Sequence, residues 1–300
     1  MLSQNGTNSA AWQSLRLPLW RLSNRAFPAA IALLGGRARM LALPVLGSFS
    51  GTNRSPLQQP YELPPHNMLP RILEPEAMDT VDEAIDYDRI DHREVNRLFA
   101  ADALKALTSA QLLGDGKPCH VIDLGTGTAQ IPIELVRQAR ADGTVQGLVI
   151  TAVDLAAEML VVAKRNVAAA AMGDVIRLER LDAKTLPYPD DRFQAVLSNS
   201  IVHHIPEPAE ALAEAVRVTQ PGGLLFFRDL LRPADLAELE RLVTLHTVGS
   251  SDTQRQLFRQ SLHAALTVAE VRSMIAELGL DPDGVRATSD RHWTWQGIKA

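Results

Sequence analysis

Cysteine is almost missing from this 300-residue chain: Cys119 stands alone, which excludes an intrachain disulfide, and no cysteine cluster suggests structural zinc. Long apolar runs are missing as well. The longest, Ala26 to Gly36, has 11 residues and contains Pro28, whereas a membrane-spanning helix needs about 20. No internal repeat and no low-complexity tract follows residue 70, which excludes solenoid and collagen-like architectures. Aromatic residues make up only 5% of the chain, yet apolar residues reach 46%, enough for a core built mainly from aliphatic side chains. The net charge of -5 does not favour a nucleic-acid partner.

One further absence is local. From Met1 to Tyr61 there is no Asp or Glu, while the same stretch carries six arginines (Arg16, Arg21, Arg25, Arg37, Arg39 and Arg54) and seven serines. From Met68 to Ala300 the balance reverses to 24 basic and 34 acidic residues. An acid-free, Arg- and Ser-rich segment has the composition of an organellar transit peptide. A disordered tail, a membrane-surface segment and translated sequence ahead of a start at Met68 are the competing readings. Pro56, Pro60, Pro64, Pro65 and Pro70 suggest an extended linker behind it. The expected organisation is therefore a tail over residues 1–67 and one folded domain over 68–300. Its compartment is expected to be cytoplasmic, or the mitochondrial matrix if the tail is a transit peptide.

Beyond Cys119, short apolar runs alternate with helical periodicity, the pattern of a parallel sheet covered by helices. Strands are expected at His120–Leu124, Leu148–Val153, Ile176–Leu181, Ala195–Leu197 and Leu224–Arg228, the last after a Pro221-Gly222-Gly223 turn. Helices are expected through Ile131, Leu135 and Val136 after the first strand, at about Ala156–Ala170 after the second, and at Glu207–Val218 between the fourth and fifth. Two helices without an intervening strand, Pro233–Val248 and Asp252–Ala265, read as an inserted cap at about 232–265. A helix from Thr267 starts with a capping box to Glu270, and Val285–Thr288 with His292–Gln296 suit a closing hairpin. Trp293 and Trp295 alternate, so both rings fall on one face of that hairpin; sheet-edge packing is their expected role, with cation binding as the alternative.

The first strand runs into Asp123-Leu124-Gly125-Thr126-Gly127-Thr128-Ala129. Glycines at a strand-to-helix junction let the backbone approach a ligand, and the helix N-terminus offers free N–H groups. Carboxylates close the next two strands. Asp154 lies 27 residues beyond Gly127, where it can accept hydrogen bonds from two ribose hydroxyls, and Asp182 precedes Ala183, where a carboxylate and an N–H can grip an adenine edge. Ligands of open parallel sheets bind outside the carboxyl ends of the strands, and all three features fall there. A dinucleotide fingerprint is the rival, but it wants a third glycine where this chain has Gln130, and it does not call for Asp123.

In VIDLGTGTA, ITAVDLAAEML, RLDAKTLPYPDDRFQAVLSNSIVHHI and RVTQPGGLLFFRD, from Val121 to about Asp229, the chain resembles the class I S-adenosylmethionine-dependent methyltransferases, small-molecule branch of the ubiquinone/menaquinone type. The resemblance implies an open, mostly parallel, seven-stranded Rossmann-like α/β sheet with helices on both faces. It implies S-adenosyl-L-methionine as cofactor, with Asp123, Gly125 and Gly127 along its methionine part, Asp154 at the ribose and Asp182 with Ala183 at the adenine. Ser198, after the fourth strand, joins that set. In similar enzymes the region from Ile85 to Asn96 folds over the cofactor, which makes Tyr87 and His92 contact candidates; an ordinary solvated helix entry is the other reading. The family's third glycine is Ala129 here, where a small residue still packs.

The expected function is methyl transfer to oxygen or carbon of a small molecule. An RNA or protein acceptor, or a silent cofactor-binding regulatory subunit, is the alternative. An Asn/Asp-Pro-Pro-aromatic run, which related enzymes use on nucleic-acid amino groups, is absent after strand four. His203, His204 and Asp229 are the catalytic candidates. Either histidine can serve as base near neutral pH, or both can simply hold their loop; Asp229 can orient an acceptor or pair with Arg228 or Arg232. No metal is expected, and Cys119 reads as a small buried hydrophobe.

Overall fold

A computed structural model describes residues 69–76, 79–114, 116–143 and 147–300, all within the unit Tyr61–Ala300. The expected tail over residues 1–67, and its boundary with the domain, lie outside the described residues.

Five parallel strands form the centre: β1 (Cys119–Leu124), β2 (Leu148–Asp154), β3 (Ile176–Arg180), β4 (Phe193–Asn199) and β5 (Thr219–Leu230). The strands β6 (Val285–Ala287) and β7 (His292–Ile298) form the closing hairpin. β7 pairs antiparallel with β5, which gives the seven-stranded order β3-β2-β1-β4-β5-β7-β6. The connections reverse direction between β1 and β4, the place where open α/β sheets bind ligands.

Because side chains alternate along a strand, each strand feeds two cores. Val121, Ile150, Leu197 and Phe226 face one side, under α2 (Arg93–Ser109), α3 (Gln130–Ala141) and α4 (Ala157–Ala169). Ile122, Val153, Val196 and Phe227 face the other, with α5 (Pro208–Val218), α8 (Val268–Glu277) and both tryptophans. Trp293 and Trp295 are completely buried, and the Trp295 ring lies 5.4 Å from that of Phe227. Packing is thus their role here, as alternation anticipated. Thr267 and Glu270 form the expected capping box, and Thr80 with Glu83 forms another at the start of α1 (Val81–Arg89).

Three expectations are corrected. Pro221-Gly222-Gly223 is no turn ahead of a strand: β5 already pairs at Thr219, opposite Phe193, and resumes at Leu224, opposite Ala195. Gln220 to Gly223 therefore bulge out opposite Gln194 alone, an excursion that Gly222 accommodates at a φ of 76°. Val95, Leu98, Phe99 and Leu104 suggest the apolar positions of an amphipathic helix, but on α2 Leu98 is exposed, because Phe99, Ala103 and Leu107 carry the packing face. The proline-rich approach is no free linker at its end. Leu69 donates its N–H to the Ala234 carbonyl and Ile72 to the His263 carbonyl, so residues 69–76 form a strap along α7 (Asp252–Ala264). Leu69, Leu239, Leu242 and Leu262 build a small core that joins the strap to α6 (Leu236–His246) and α7, the two helices expected as the insertion.

Candidate active site

The glycine turn is tied to the neighbouring strand at both levels. Thr126 donates its N–H to the Val153 carbonyl (2.9 Å), and Gly127 donates to Asp154 Oδ2 (2.7 Å). Asp154 Oδ1 accepts from the Ala156 N–H (2.9 Å), so one carboxylate staples the turn after β1 to the entry of α4. Burial outweighs those donors and raises the Asp154 carboxyl above its ordinary value. Gly125 has a φ of 69°, and a Cβ there would stand 1.9 Å from Ile201 Cγ2. Only glycine fits that contact. At Gly127, with a φ of 54°, a Cβ would meet nothing nearer than Tyr87 Cε1 at 3.7 Å, so this backbone is open toward the ligand side. Ala129 takes the αL conformation at the N-cap of α3, φ 61°, and is completely buried.

These strand ends wall an open cleft. Gly125, Gly127, Asp154, Asp182, Ala183, Tyr87 and His204 all line it. Tyr87 is held by burial with a phenol pushed up to about 12, and its ring lies 5.1 Å from that of His92. Asp123 sits beside the turn in an adjoining pocket shared with His92 and Asn96. It is 3% exposed, its Oδ2 has no hydrogen-bond partner, and burial raises its carboxyl to about 7. A buried carboxylate without a counter-charge is costly, and a cationic ligand group would complete it.

Ser198 is corrected. Strand β4 runs on to Asn199, and the Ser198 side chain, 1% exposed, donates to the Leu124 carbonyl (3.1 Å) between the two strands. Asn199 lines the cleft instead, with its Oδ1 unpartnered. Lys184 was also missed: it lines the cleft and pairs with Asp182 Oδ1 (3.1 Å) and with Glu76 of the strap.

The histidines separate by depth. His204 lines the cleft, whereas His203 and Asp229 form a buried pair behind it, His203 Nδ1 lying 2.5 Å from Asp229 Oδ1. Asp229 also accepts from the Val202 N–H (2.6 Å) and the Leu230 N–H (2.6 Å). It pairs with neither arginine, for Arg228 reaches Asp102 and Arg232 reaches Glu270. Burial alone would pull the His203 imidazole down, but the Asp229 charge outweighs it and holds the imidazole above its ordinary value. The same pairing overcomes burial to lower the Asp229 carboxyl. Burial and the neighbouring His203 push His204 down to about 3. A group so weakly basic is a poor proton acceptor at neutral pH. Arg71 of the strap donates to the carbonyls of Ala264 (2.8 Å), Ile205 (2.8 Å) and His203 (3.3 Å), fixing the strap over the short helix Val202–His204. No sequence pattern announced that contact, which spans more than 130 residues.

Residues 122–227 match the family described as "Methyltransferase domain". The matched stretch runs from Ile122 in β1 to Phe227 in β5, so it holds the glycine turn and both strand-end carboxylates. The demethylmenaquinone methyltransferase of Lactiplantibacillus plantarum is 34% identical over 114 residues, 38% of this chain and 46% of that protein. The 27-O-demethylrifamycin SV methyltransferase of Amycolatopsis mediterranei is 25% identical over 170 residues, 57% of each chain. The chain spans less than half the length of three demethylmenaquinone methyltransferases it matches, and 57% of a fourth, from Thermus thermophilus. Among solved structures, a SAM-dependent methyltransferase from Aquifex aeolicus shares the fold, with a TM-score of 0.51 at 17% identity over 74% of this chain and 99% of that one.

Proposed function

We propose that the chain transfers a methyl group from S-adenosyl-L-methionine to an oxygen or carbon of a small molecule. The observation that carries this reading is the cleft at the switch between β1 and β4, where Gly127, Asp154, Asp182 and Ala183 converge beside the unpartnered carboxylate of Asp123. The donor set fits that cofactor. Asp123 would hold the amino-acid ammonium beside the open backbone of Gly125 and Gly127, Asp154 the ribose hydroxyls, and Asp182 with the Ala183 N–H the adenine. Two relatives named for methyl transfer to small molecules support it.

When bound, the cofactor supplies an electrophilic methyl on a sulfonium, which loses its charge on transfer. The chain's own contribution is then positioning: holding nucleophile and carbon about 3–3.5 Å apart in a closed site. Tyr87 narrows the cleft over Gly127. His204 offers the acceptor a neutral imidazole at the wall, and the His203–Asp229 pair fixes the backbone of the loop that carries it. Among the described residues no helix is long and apolar enough to cross a membrane. We read the acceptor as a small molecule, with no nucleic-acid partner, and the compartment as cytoplasmic.

Calorimetric titration of the full chain with S-adenosyl-L-methionine, S-adenosyl-L-homocysteine and NAD tests the reading. Micromolar binding of the first two and none of NAD is expected. A folded chain that binds neither the methyl donor nor its product overturns it.

A further inference from the structure

The strap adds a third donor to the histidine pair. Glu74 Oε1 lies 3.2 Å from His204 Nδ1 and 3.5 Å from His203 Nε2, and the three ligand atoms all fall within 4.8 Å of one another. The Glu74 side chain is 8% exposed, and its Oε1 makes no hydrogen bond with either imidazole or anything else described. Three donor atoms therefore crowd one buried point without bonding to each other. A tetrahedral zinc ion with bonds of about 2.0–2.1 Å sets neighbouring ligand atoms roughly 3.3–3.4 Å apart, between the two distances observed.

The surroundings match what metal ligands need. A ligating histidine hands its other nitrogen to a carboxylate or carbonyl, which fixes ring and tautomer. His203 does so with Asp229, itself held by two backbone N–H groups. The second oxygen of Glu74 accepts from Ser261 Oγ (3.2 Å), and Arg71 pins the strap. Among the described residues, the competitor for His204 Nδ1 is the Pro75 carbonyl, at a long 3.4 Å.

We propose that Glu74, His203 and His204 bind one zinc-class divalent cation at the wall of the cofactor cleft. Two imidazoles and one carboxylate select Zn²⁺ and its transition-metal neighbours over Mg²⁺, which prefers oxygen alone. Three protein ligands leave a fourth tetrahedral position for an exogenous group. Since His204 lines the cleft, that group is an oxygen of the methyl acceptor, of the hydroxyl, enol or quinol class; this last step rests on the methyl-transfer reading above.

The test begins with the full chain stripped by chelator and titrated separately with Zn²⁺ and Mg²⁺. One Zn²⁺ per chain, no Mg²⁺, and a raised Tm with Zn²⁺ are expected. Co²⁺ bound in its place should give visible absorption of a four-coordinate nitrogen–oxygen site. Glu74→Gln, which preserves shape, and His204→Ala should each weaken Zn²⁺ binding at least tenfold while circular dichroism stays that of the parent. Absence of Zn²⁺ binding by the parent chain, or equal affinity and stoichiometry in both variants, overturns the proposal. S-adenosyl-L-homocysteine titrated into the metal-free chain separates the two readings. Its binding without Zn²⁺ binding sinks the cation site alone, and the converse sinks methyl transfer alone.

Discussion

Asp154→Ala removes two acceptors at once, and the two consequences can be measured apart. Asp154 takes N–H groups from Gly127 at 2.7 Å and from Ala156 at 2.9 Å. Hydrogen bonds to a charged group are worth about 1.5–3 kcal/mol each. Both freed N–H groups border the cleft, where water can reach them, so the combined loss should sit at the low end of the summed range, about 3–4 kcal/mol. Urea unfolding followed by far-ultraviolet circular dichroism reads this directly. Cofactor affinity should fall as well, because two ribose hydroxyls lose their acceptor: about 1–3 kcal/mol, on the order of 5- to 150-fold in Kd. Calorimetry with S-adenosyl-L-homocysteine reads that. Asp154→Asn keeps one carbonyl oxygen and should recover part of the stability. If Asp154→Ala lowers stability but leaves Kd unchanged, the carboxylate is a staple only and the ribose assignment is wrong.

Gly125→Ala should disable the site without a cavity or charge change, since its methyl meets Ile201 at 1.9 Å in a backbone region L-residues avoid; unchanged cofactor affinity and Tm would show that the turn adapts freely. The His203–Asp229 pair sets a stability window. His203 is raised, so its contribution is full below the ordinary imidazole value of 6.5 and fades as pH climbs through the folded value. Asp229 is lowered, so its contribution is full above 3.8 and fades as pH drops through its folded value. Chemical denaturation should therefore show that Asp229→Asn loses most relative to the parent between those limits, and a pH-independent difference would refute the pairing. Asp123 runs the other way: raised to about 7, it favours the fold below 3.8 and loses that advantage as pH rises toward 7. Asp123→Asn should thus gain stability over the parent at pH 8 and match it at pH 3, while weakening cofactor binding; a variant less stable than the parent at pH 8 would contradict this. Trp295→Ala, in the core between β5 and α8, should cost about 3–5 kcal/mol in unfolding free energy, and a loss below 1 kcal/mol would mean the hairpin is peripheral.

Local chemistry decided much of this molecule in advance. Apolar runs of strand length placed β1, β2 and β4 within a residue or two, because a central parallel strand covered on both faces is largely apolar; β3, at the sheet edge, was legible only through the alternation of Ile176 and Leu178. Thr267 and Glu270 marked a helix start, since a capping box is satisfied entirely within four residues. Gly125, Gly127, Asp154 and Asp182 were legible for the same reason: each lies at a strand end, and the strand ends were visible. Tertiary structure alone decided contacts between distant segments. No periodicity relates Glu74 to His203, 129 residues on, yet Arg71 and the strap bring them together. Asp229 has two arginines within three residues, but β5 turns its carboxylate toward the short helix after β4 and both arginines elsewhere. Whether Ser198 or Asn199 meets the cleft depends on where β4 stops, and its ladder with β1 and β5 sets that point. Pairing, register and the path of the strap are properties of the whole chain, and burial, not local propensity, selects among them.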